Sequence, residues 1–150
     1  MPEKTEKNEI KNQKTYLDTF VFMDILSGDP SLASKAMQYI SEAEKSGGVV
    51  SSILFTELAY HIRRRKSREM TEEILFYIES LPNLEIIPLS YIIAKHAGIL
   101  RAKYRRLKTM KKLTYFDAIH IATAIESQCA KFVTGDKGFK DVGEINVEVY

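Results

Sequence analysis

The pattern of apolar and polar positions along the chain predicts strands that alternate with helices. A short apolar segment ends at Asp18, and apolar residues three or four positions apart follow it, so a strand and then a helix are predicted there. Four more apolar segments predict strands, at residues 49–52, 83–89, 131–134 and 145–150. Helical spacing predicts further helices, at about residues 31–45, 52–65, 68–81, 90–108 and 113–127. Short strands rich in Val and Ile between helices favour an α/β fold with a mainly parallel sheet of about five strands, covered on both faces.

Length and composition favour one globular domain. With 150 residues, 45% of them hydrophobic, the chain is long enough for one core and short for two. The longest stretch without a charged residue is residues 46–56, which is well short of the roughly 20 apolar residues that cross a bilayer. We therefore expect no membrane-spanning segment. Residues 1–14 alternate Lys and Glu with few apolar residues, which predicts a disordered tail before a domain at 15–150.

Several common chemistries find no support in the sequence. The single cysteine, Cys129, excludes an internal disulfide framework and a cysteine-based zinc cluster, and it fits a reducing cytoplasm. The chain has no P-loop, no dinucleotide-binding glycine pattern and no cysteine nucleophile with a convincing histidine partner. His120 is expected to be a packed helix residue, and a role in orienting a ligand is the alternative.

Basic residues are concentrated in two segments, although the net charge is only +2. Residues 61–68 contain five Lys or Arg, and residues 86–116 contain eight with no acidic residue, so 13 of the 22 basic residues lie there. Such clustering favours a polyanionic partner, and a solvated helix face is the alternative. The candidate nucleic-acid-binding residues are Arg63, Arg64, Arg65, Arg101, Lys103, Arg105 and Arg106.

Acidic side chains are predicted to meet at one edge of the sheet. In open α/β sheets, ligands bind outside the carboxyl ends of the strands. Asp18 ends the first strand and Asp136 follows the fourth, and Glu57 lies early in the helix after the second strand. Asp117 lies in the first turn of the helix before the fourth strand, and we do not place it at this edge from the direction of that helix alone.

Each of these acids has a structural alternative. Asp18 could cap the next helix, Asp117 could form a capping box with Thr114, and "TGDKG" around Asp136 could be a turn. Glu57 is harder to explain in this way, because its helical neighbours are mostly apolar or aromatic and none is Lys or Arg. A buried carboxylate needs a cation. Four converging carboxylates would suit Mg²⁺ or Mn²⁺, which prefer hard oxygen ligands.

Four short motifs, in this order and spacing, resemble the acidic motifs of PIN-domain nucleases. They are "YLDT", "ILFTEL", "LTYFDAIHIATA" and "FVTGDKGF", and the resemblance covers roughly residues 15–150. It implies a Rossmann-like fold with three layers, α/β/α, and cleavage of RNA that depends on Mg²⁺ or Mn²⁺. It also implies that Asp18, Glu57, Asp117 and Asp136 are the catalytic metal ligands, with Thr134 as a hydrogen-bonding residue behind them.

The resemblance also leads to expectations about biological role. We expect a cytoplasmic endoribonuclease, the toxin of a VapBC-like toxin–antitoxin pair, which would bind RNA and a small antitoxin protein and form a homodimer. An RNA-processing nuclease outside such a pair is one alternative. A non-catalytic RNA-binding module is another, and the presence of all four acids argues against it.

Overall fold

Five parallel strands form the centre of the fold in a computed structural model that describes residues 13–105 and 112–150. The strands are β1 (Thr15–Leu17), β2 (Gly48–Ser51), β3 (Leu84–Ile87), β4 (Lys131–Thr134) and β5 (Val147–Val149). Their order in the sheet is β3-β2-β1-β4-β5, and every neighbouring pair is parallel. The predicted parallel sheet of about five strands is therefore confirmed.

Six α-helices connect the strands in the described part of the chain. They are α1 (Thr19–Ile25), α2 (Pro30–Ser46), α3 (Ile53–Arg63), α4 (Arg68–Glu79), α5 (Tyr91–Tyr104) and α6 (Tyr115–Glu126), and a short 3₁₀ helix spans Lys137–Phe139. Side-chain caps explain where several of them begin. Asp29 accepts hydrogen bonds from the Ser31 and Leu32 backbone amides, and Ser67 and Ser90 cap α4 and α5 in the same way.

The core has two halves, one on each face of the sheet. Because successive side chains of a strand point to opposite faces, each central strand contributes one residue to each half. One half, packed against α5 and α6, contains Tyr16, Val49 and Phe132. The other half, packed against α1, α2, α3 and α4, contains Leu17, Val50 and Val133. All six are at most 1% exposed, and the predicted three-layer α/β/α architecture is confirmed.

Strand β1 lies at the centre of the sheet. A crevice lies at its carboxyl end, because the strand order reverses direction there. From β1 the chain continues to β2 on one side, whereas β4 lies on the other side. The backbone amide of Asp18 donates to the Val133 carbonyl, 3.0 Å away, so the ends of β1 and β4 are held together. Ligand sites in open parallel sheets lie at such a topological switch point.

Parts of two predicted segments lie outside the described residues. These parts are residues 1–12 of the predicted tail and residues 106–108 of the helix predicted at 90–108, including Arg106. Lys14, within the predicted tail, is described, and its ammonium group lies 2.5 Å from Glu85 Oε1. No helix in residues 13–105 and 112–150 is long and apolar enough to span a membrane.

Candidate active site

Asp18 lies directly after β1 and is almost completely buried. It is 3% exposed and occupies the N-cap position of α1, but its side chain makes no capping hydrogen bond, so the capping interpretation is wrong. Instead Thr134 Oγ1, at the end of β4, donates to Asp18 Oδ2 over 2.7 Å. Burial raises the pKa of Asp18, although His120 and the Thr134 hydrogen bond act in the opposite direction.

Glu57 lies in the second turn of α3 and contacts two residues from other elements. His120 Nε2 is 2.5 Å from Glu57 Oε1, and Thr19 Oγ1 donates to the same oxygen over 2.8 Å. Burial would raise the pKa of Glu57, but the contact with His120 and the Thr19 hydrogen bond lower it below its ordinary value. The hydrogen-bonding partner that is missing from α3 itself therefore comes from α6, as the imidazole of His120.

His120 is the functional residue that sequence reasoning undervalued. It is 1% exposed, as expected of a packed helix residue, but both ring nitrogens have polar partners. The Tyr16 hydroxyl lies 2.6 Å from Nδ1, and Asp18 Oδ1 lies 3.8 Å from Nε2. Because a carboxylate can only accept, Nε2 carries the proton in its contact with Glu57. Burial lowers the pKa of His120, but the Glu57 and Asp18 carboxylates outweigh this and raise it.

Tyr16 of β1 belongs to the same hydrogen-bond network as His120. Its hydroxyl oxygen accepts from the Ser51 backbone amide at the end of β2, 3.1 Å away, and its proton is available to His120 Nδ1. Burial raises the pKa of Tyr16, so the hydroxyl keeps that proton. The ends of β1 and β2 are thus joined to α6 through the side chains of Tyr16 and His120.

Asp117 forms a capping box with Thr114, which was one of the two interpretations of this residue. Its backbone amide donates to Thr114 Oγ1 over 3.1 Å, and its carboxylate accepts from the Thr114 amide over 3.0 Å. The same carboxylate lines a cavity with Asp18 and Glu57. Helix direction does place it there, contrary to our expectation. Helix α6 leads to the amino end of β4 and runs antiparallel to it, so its first turn lies at the carboxyl edge.

Asp136 makes the local hydrogen bond that the turn interpretation predicted. Its Oδ1 accepts from the Gly138 amide over 2.8 Å and caps the short 3₁₀ helix. Its own backbone amide donates to Thr134 Oγ1 over 3.0 Å, so Thr134 connects it to Asp18. Asp136 is not among the residues that line the cavity. Its assignment as a metal ligand stays a prediction.

The cavity has a volume of about 490 Å³ and is acidic at one end and basic at the other. The acidic end contains Asp18, Glu57 and Asp117, together with Asp24 of α1, which sequence reasoning missed. Asp24 accepts a hydrogen bond from the hydroxyl of Tyr150. The basic end is formed by residues at the end of α3 and just beyond it: His61, Arg65 and Lys66.

The donor set of the acidic end suits a hard divalent cation in chemical type, because carboxylate oxygens are the ligands that Mg²⁺ and Mn²⁺ prefer. Within the described residues, however, no group of three or more His, Cys, Asp or Glu side chains is arranged so that it could hold a metal ion. Glu57 Oε1 accepts from Thr19 and His120. The assignment of the four acids as ligands therefore stays a prediction.

The three consecutive arginines after residue 62 have different surroundings. Arg65 lines the cavity. Arg63 donates from its guanidinium to the Lys66 carbonyl over 3.1 Å, and Arg64 lies over the Tyr60 ring, 5.3 Å from its centroid. Only Arg65 of these three therefore faces the acids.

The second basic cluster lies on a different surface. Arg101 stacks on Tyr115, 3.9 Å from the ring centroid, and together with Arg105 these residues line a separate surface pocket. Lys103 forms an ion pair with Glu144. The structure thus engages Lys103 with a carboxylate, which makes it a weaker candidate for a phosphate contact than Arg101 or Arg105.

Comparison with known proteins identifies the family. The family model described as PIN domain matches residues 15–145, so the chain belongs to the PIN domain family. The resemblance inferred from the four acidic motifs is confirmed. No match was found among proteins of curated function.

Solved structures with the same fold include a toxin and a toxin–antitoxin complex. VapBC2 from Rickettsia felis, bound to a promoter DNA fragment, is 22% identical with a TM-score of 0.72, over 91% of this chain and 98% of that chain. FitAcB from Neisseria gonorrhoeae is 18% identical with a TM-score of 0.67, over 89% and 95% of the two chains. VapC20 from Mycobacterium tuberculosis, a toxin described as cleaving the sarcin–ricin loop, is 13% identical with a TM-score of 0.69, over 86% and 95%. The chain therefore has the fold of VapC toxins.

Proposed function

We propose that this protein is a metal-dependent endoribonuclease of the VapC type. The observation that carries the proposal is that Asp18, Glu57 and Asp117, from three different elements, line one cavity at the carboxyl edge of a PIN-domain sheet. Membership of the PIN domain family and the fold shared with the RNA-cleaving toxin VapC20 support RNA as the substrate. Burial of the Asp18 carboxylate, which costs stability, is more easily explained by a catalytic site than by a non-catalytic RNA-binding module.

Asp18, Glu57, Asp117 and Asp136 would hold Mg²⁺ or Mn²⁺. When bound, such an ion lowers the pKa of a water molecule and neutralises charge on the scissile phosphate. Thr134 holds Asp18 in place by its hydrogen bond and also accepts from the Asp136 amide. His120 and Thr19 orient Glu57.

A small antitoxin protein is the partner that we propose for this toxin. Similar folds occur in toxin–antitoxin complexes, among them VapBC2 from Rickettsia felis and a complex from Klebsiella pneumoniae. Large apolar side chains are exposed on α3 and α4, including Tyr60 at 60%, Phe76 at 69% and Tyr77 at 43%, and a protein partner would cover them. We further propose that the protein forms a homodimer and acts in the cytoplasm.

Cleavage of RNA by the purified protein tests the proposed function. We expect cleavage with Mg²⁺ or Mn²⁺ and none with excess chelator, and we expect Glu57→Gln to lose activity. Glu73→Gln, which changes an exposed acid on α4, is the matched control and should cleave like the wild type. Cleavage that persists in chelator, or in Glu57→Gln preparations purified in parallel, would refute the metal-dependent mechanism.

A further inference from the structure

Three cavity residues lie on one face of α3 and its continuation, and their charge changes along the helix. Glu57, His61 and Arg65 are four positions apart, so they lie one above the other on successive turns. Arg65 lies two residues beyond the end of α3. The helical turn continues to it, since its amide donates to the Ile62 carbonyl over 3.0 Å. Eight residues of helix rise about 12 Å. The cavity therefore changes from acidic to basic over that length.

Within the described part of the chain, Arg65 and Lys66 at the basic end form no ion pair with an acid. Among the ion pairs of the described residues none involves Arg65 or Lys66, whereas Arg68 close by pairs with Glu72. The Lys66 amide also donates to the Ile62 carbonyl, 2.9 Å away, which fixes its backbone beside Arg65. Two adjacent cations at the end of an otherwise acidic cavity are positioned to bind an anion.

Apolar side chains lie in the same cavity as the two charged ends. Met23 of α1, Leu26 directly after α1 and Ile62 of α3 line it, and Leu26 is 36% exposed. A nucleoside is largely apolar on its faces, whereas the phosphates on either side of it are anionic. The sequence of an acidic end, an apolar wall and a basic end therefore matches the alternation of phosphate, nucleoside and phosphate along a polynucleotide strand.

We propose that Arg65 and Lys66 bind a backbone phosphate that neighbours the scissile phosphate, so that the substrate strand runs along α3 from Glu57 towards Arg65. The inference rests on the proposed function and deepens it. The acids at one end act on the scissile phosphate, and the next phosphate needs a cation because the acids would otherwise repel it. A guanidinium suits this role, since its planar fork can donate two hydrogen bonds to a phosphate. Lys66 adds a second charge.

The neighbouring arginine provides a matched control. Arg64 has the same charge and lies one position away, but it stacks on Tyr60 and does not line the cavity. We expect Arg65→Ala to raise the KM for RNA cleavage in Mn²⁺ and the Kd for RNA in chelator by roughly fivefold, with kcat unchanged. The slope of log Kd against log salt should fall by about 0.7 for the lost contact. Arg64→Ala should change the KM, the Kd and the salt slope by less than Arg65→Ala does, because the Arg64 guanidinium lies over Tyr60 and outside the cavity.

A second experiment removes the charge of one phosphate in the RNA instead of a charge in the protein, and it identifies the phosphate that Arg65 binds. Oligonucleotides in which one phosphate at a time is replaced by an uncharged methylphosphonate should show one position, beside the cleavage site, where replacement raises the KM of the wild type. In Arg65→Ala the same replacement should have a smaller effect, because only the Lys66 contact is left to lose. In Arg64→Ala it should have its full effect.

The outcomes separate this inference from the proposed function. If the wild type cleaves RNA but Arg65→Ala and Arg64→Ala behave alike in KM, Kd and salt slope, the phosphate subsite is wrong and the nuclease assignment stands. If the wild type cleaves no RNA with either metal, the nuclease assignment fails, and the Kd and salt-slope comparison still decides whether Arg65 binds a phosphate. Thermal unfolding of both variants at the wild-type midpoint excludes misfolding as the cause of any difference.

Discussion

Glu57 on α3 and His120 on α6 are joined by a hydrogen bond of 2.5 Å, although the two helices pack on opposite faces of the sheet. The contact is made around the carboxyl edge of β1, where Asp18 lies 3.8 Å from the same imidazole nitrogen. The candidate active site is therefore also a junction between the two helical layers. Changes to its polar residues should affect the stability of the whole domain.

Removal of the imidazole should be costly. His120→Leu leaves the partly buried Glu57 carboxylate and the fully buried Tyr16 hydroxyl without this partner, so we expect a loss of about 3 kcal/mol in the free energy of unfolding. His96→Leu is the matched control, because His96 lies 3.0 Å from Glu126 in a more exposed pair and should lose less than about 1 kcal/mol. Urea denaturation measures both. Equal losses would show that the buried network contributes no more than a surface pair.

The buried charge of Asp18 should destabilise the protein in the absence of metal. Asp18→Asn keeps an oxygen that can accept from Thr134 and removes a charge that burial disfavours, so we expect it to melt at or above the wild type in chelator. Mg²⁺ or Mn²⁺ at a hundredfold excess over its dissociation constant should stabilise the wild type by roughly 2.7 kcal/mol. Asp18→Asn should lose most of this stabilisation by the metal.

The same melting experiment tests the two acids that also make capping hydrogen bonds. Asp117→Asn and Asp136→Asn retain an acceptor for the Thr114 and Gly138 amides, so both should melt near the wild type or above it without metal. If they are ligands, both should respond weakly to metal. A wild type whose midpoint ignores both metals at millimolar concentration would leave only their capping roles.

A side chain at Gly135 should displace the neighbouring Asp24 carboxylate. A Cβ atom there would lie 2.7 Å from Asp24 Oδ2, the oxygen that accepts from the Tyr150 hydroxyl. We expect Gly135→Ala to displace the Asp24 carboxylate and to cost about 1–3 kcal/mol in the free energy of unfolding. Gly98→Ala is the control, since a Cβ on that exposed position of α5 meets nothing within 4 Å and should stabilise the protein by about 0.5–1 kcal/mol. Thermal denaturation distinguishes the loss of stability expected for Gly135→Ala from the gain expected for Gly98→Ala.

Cys129 should be a slow nucleophile in the folded protein. Burial raises the pKa of its thiol to about 12, so at neutral to mildly alkaline pH well under one thiol in a thousand is the reactive thiolate. We expect the reaction with a thiol reagent at mildly alkaline pH to be slower by roughly a hundredfold or more than in strong denaturant. Because Cys129 is the single cysteine of the chain, the reaction reports on this site alone. Equal rates in the two conditions would show that the thiol is accessible and ionisable in the fold.

The elements of the fold could be predicted from the sequence because their signals are local. Apolar periodicity separates β1 from α1 at Asp18, and Thr114 marks the start of α6 by its capping chemistry. Parallel strands share a carboxyl edge, so the positions of Asp18 and Asp136 after β1 and β4 follow from the strands themselves. The motifs around these acids also indicated the PIN domain family, which the family comparison confirmed.

Contacts between distant segments depended on the tertiary structure. His120 is 63 positions from Glu57, and no periodicity within α6 shows that its imidazole would reach around the sheet edge to a carboxylate on α3. Arg64 and Arg65 are adjacent and chemically identical, yet only Arg65 lines the cavity, because successive helical residues point about 100° apart and the packing of α3 decides which one faces the acids. The sequence by itself thus determined which residue types could act at this edge. The packing of α3, α1 and α6 around β1 decided which of them meet, since a hydrogen bond or an ion pair depends on distances that only the folded chain sets.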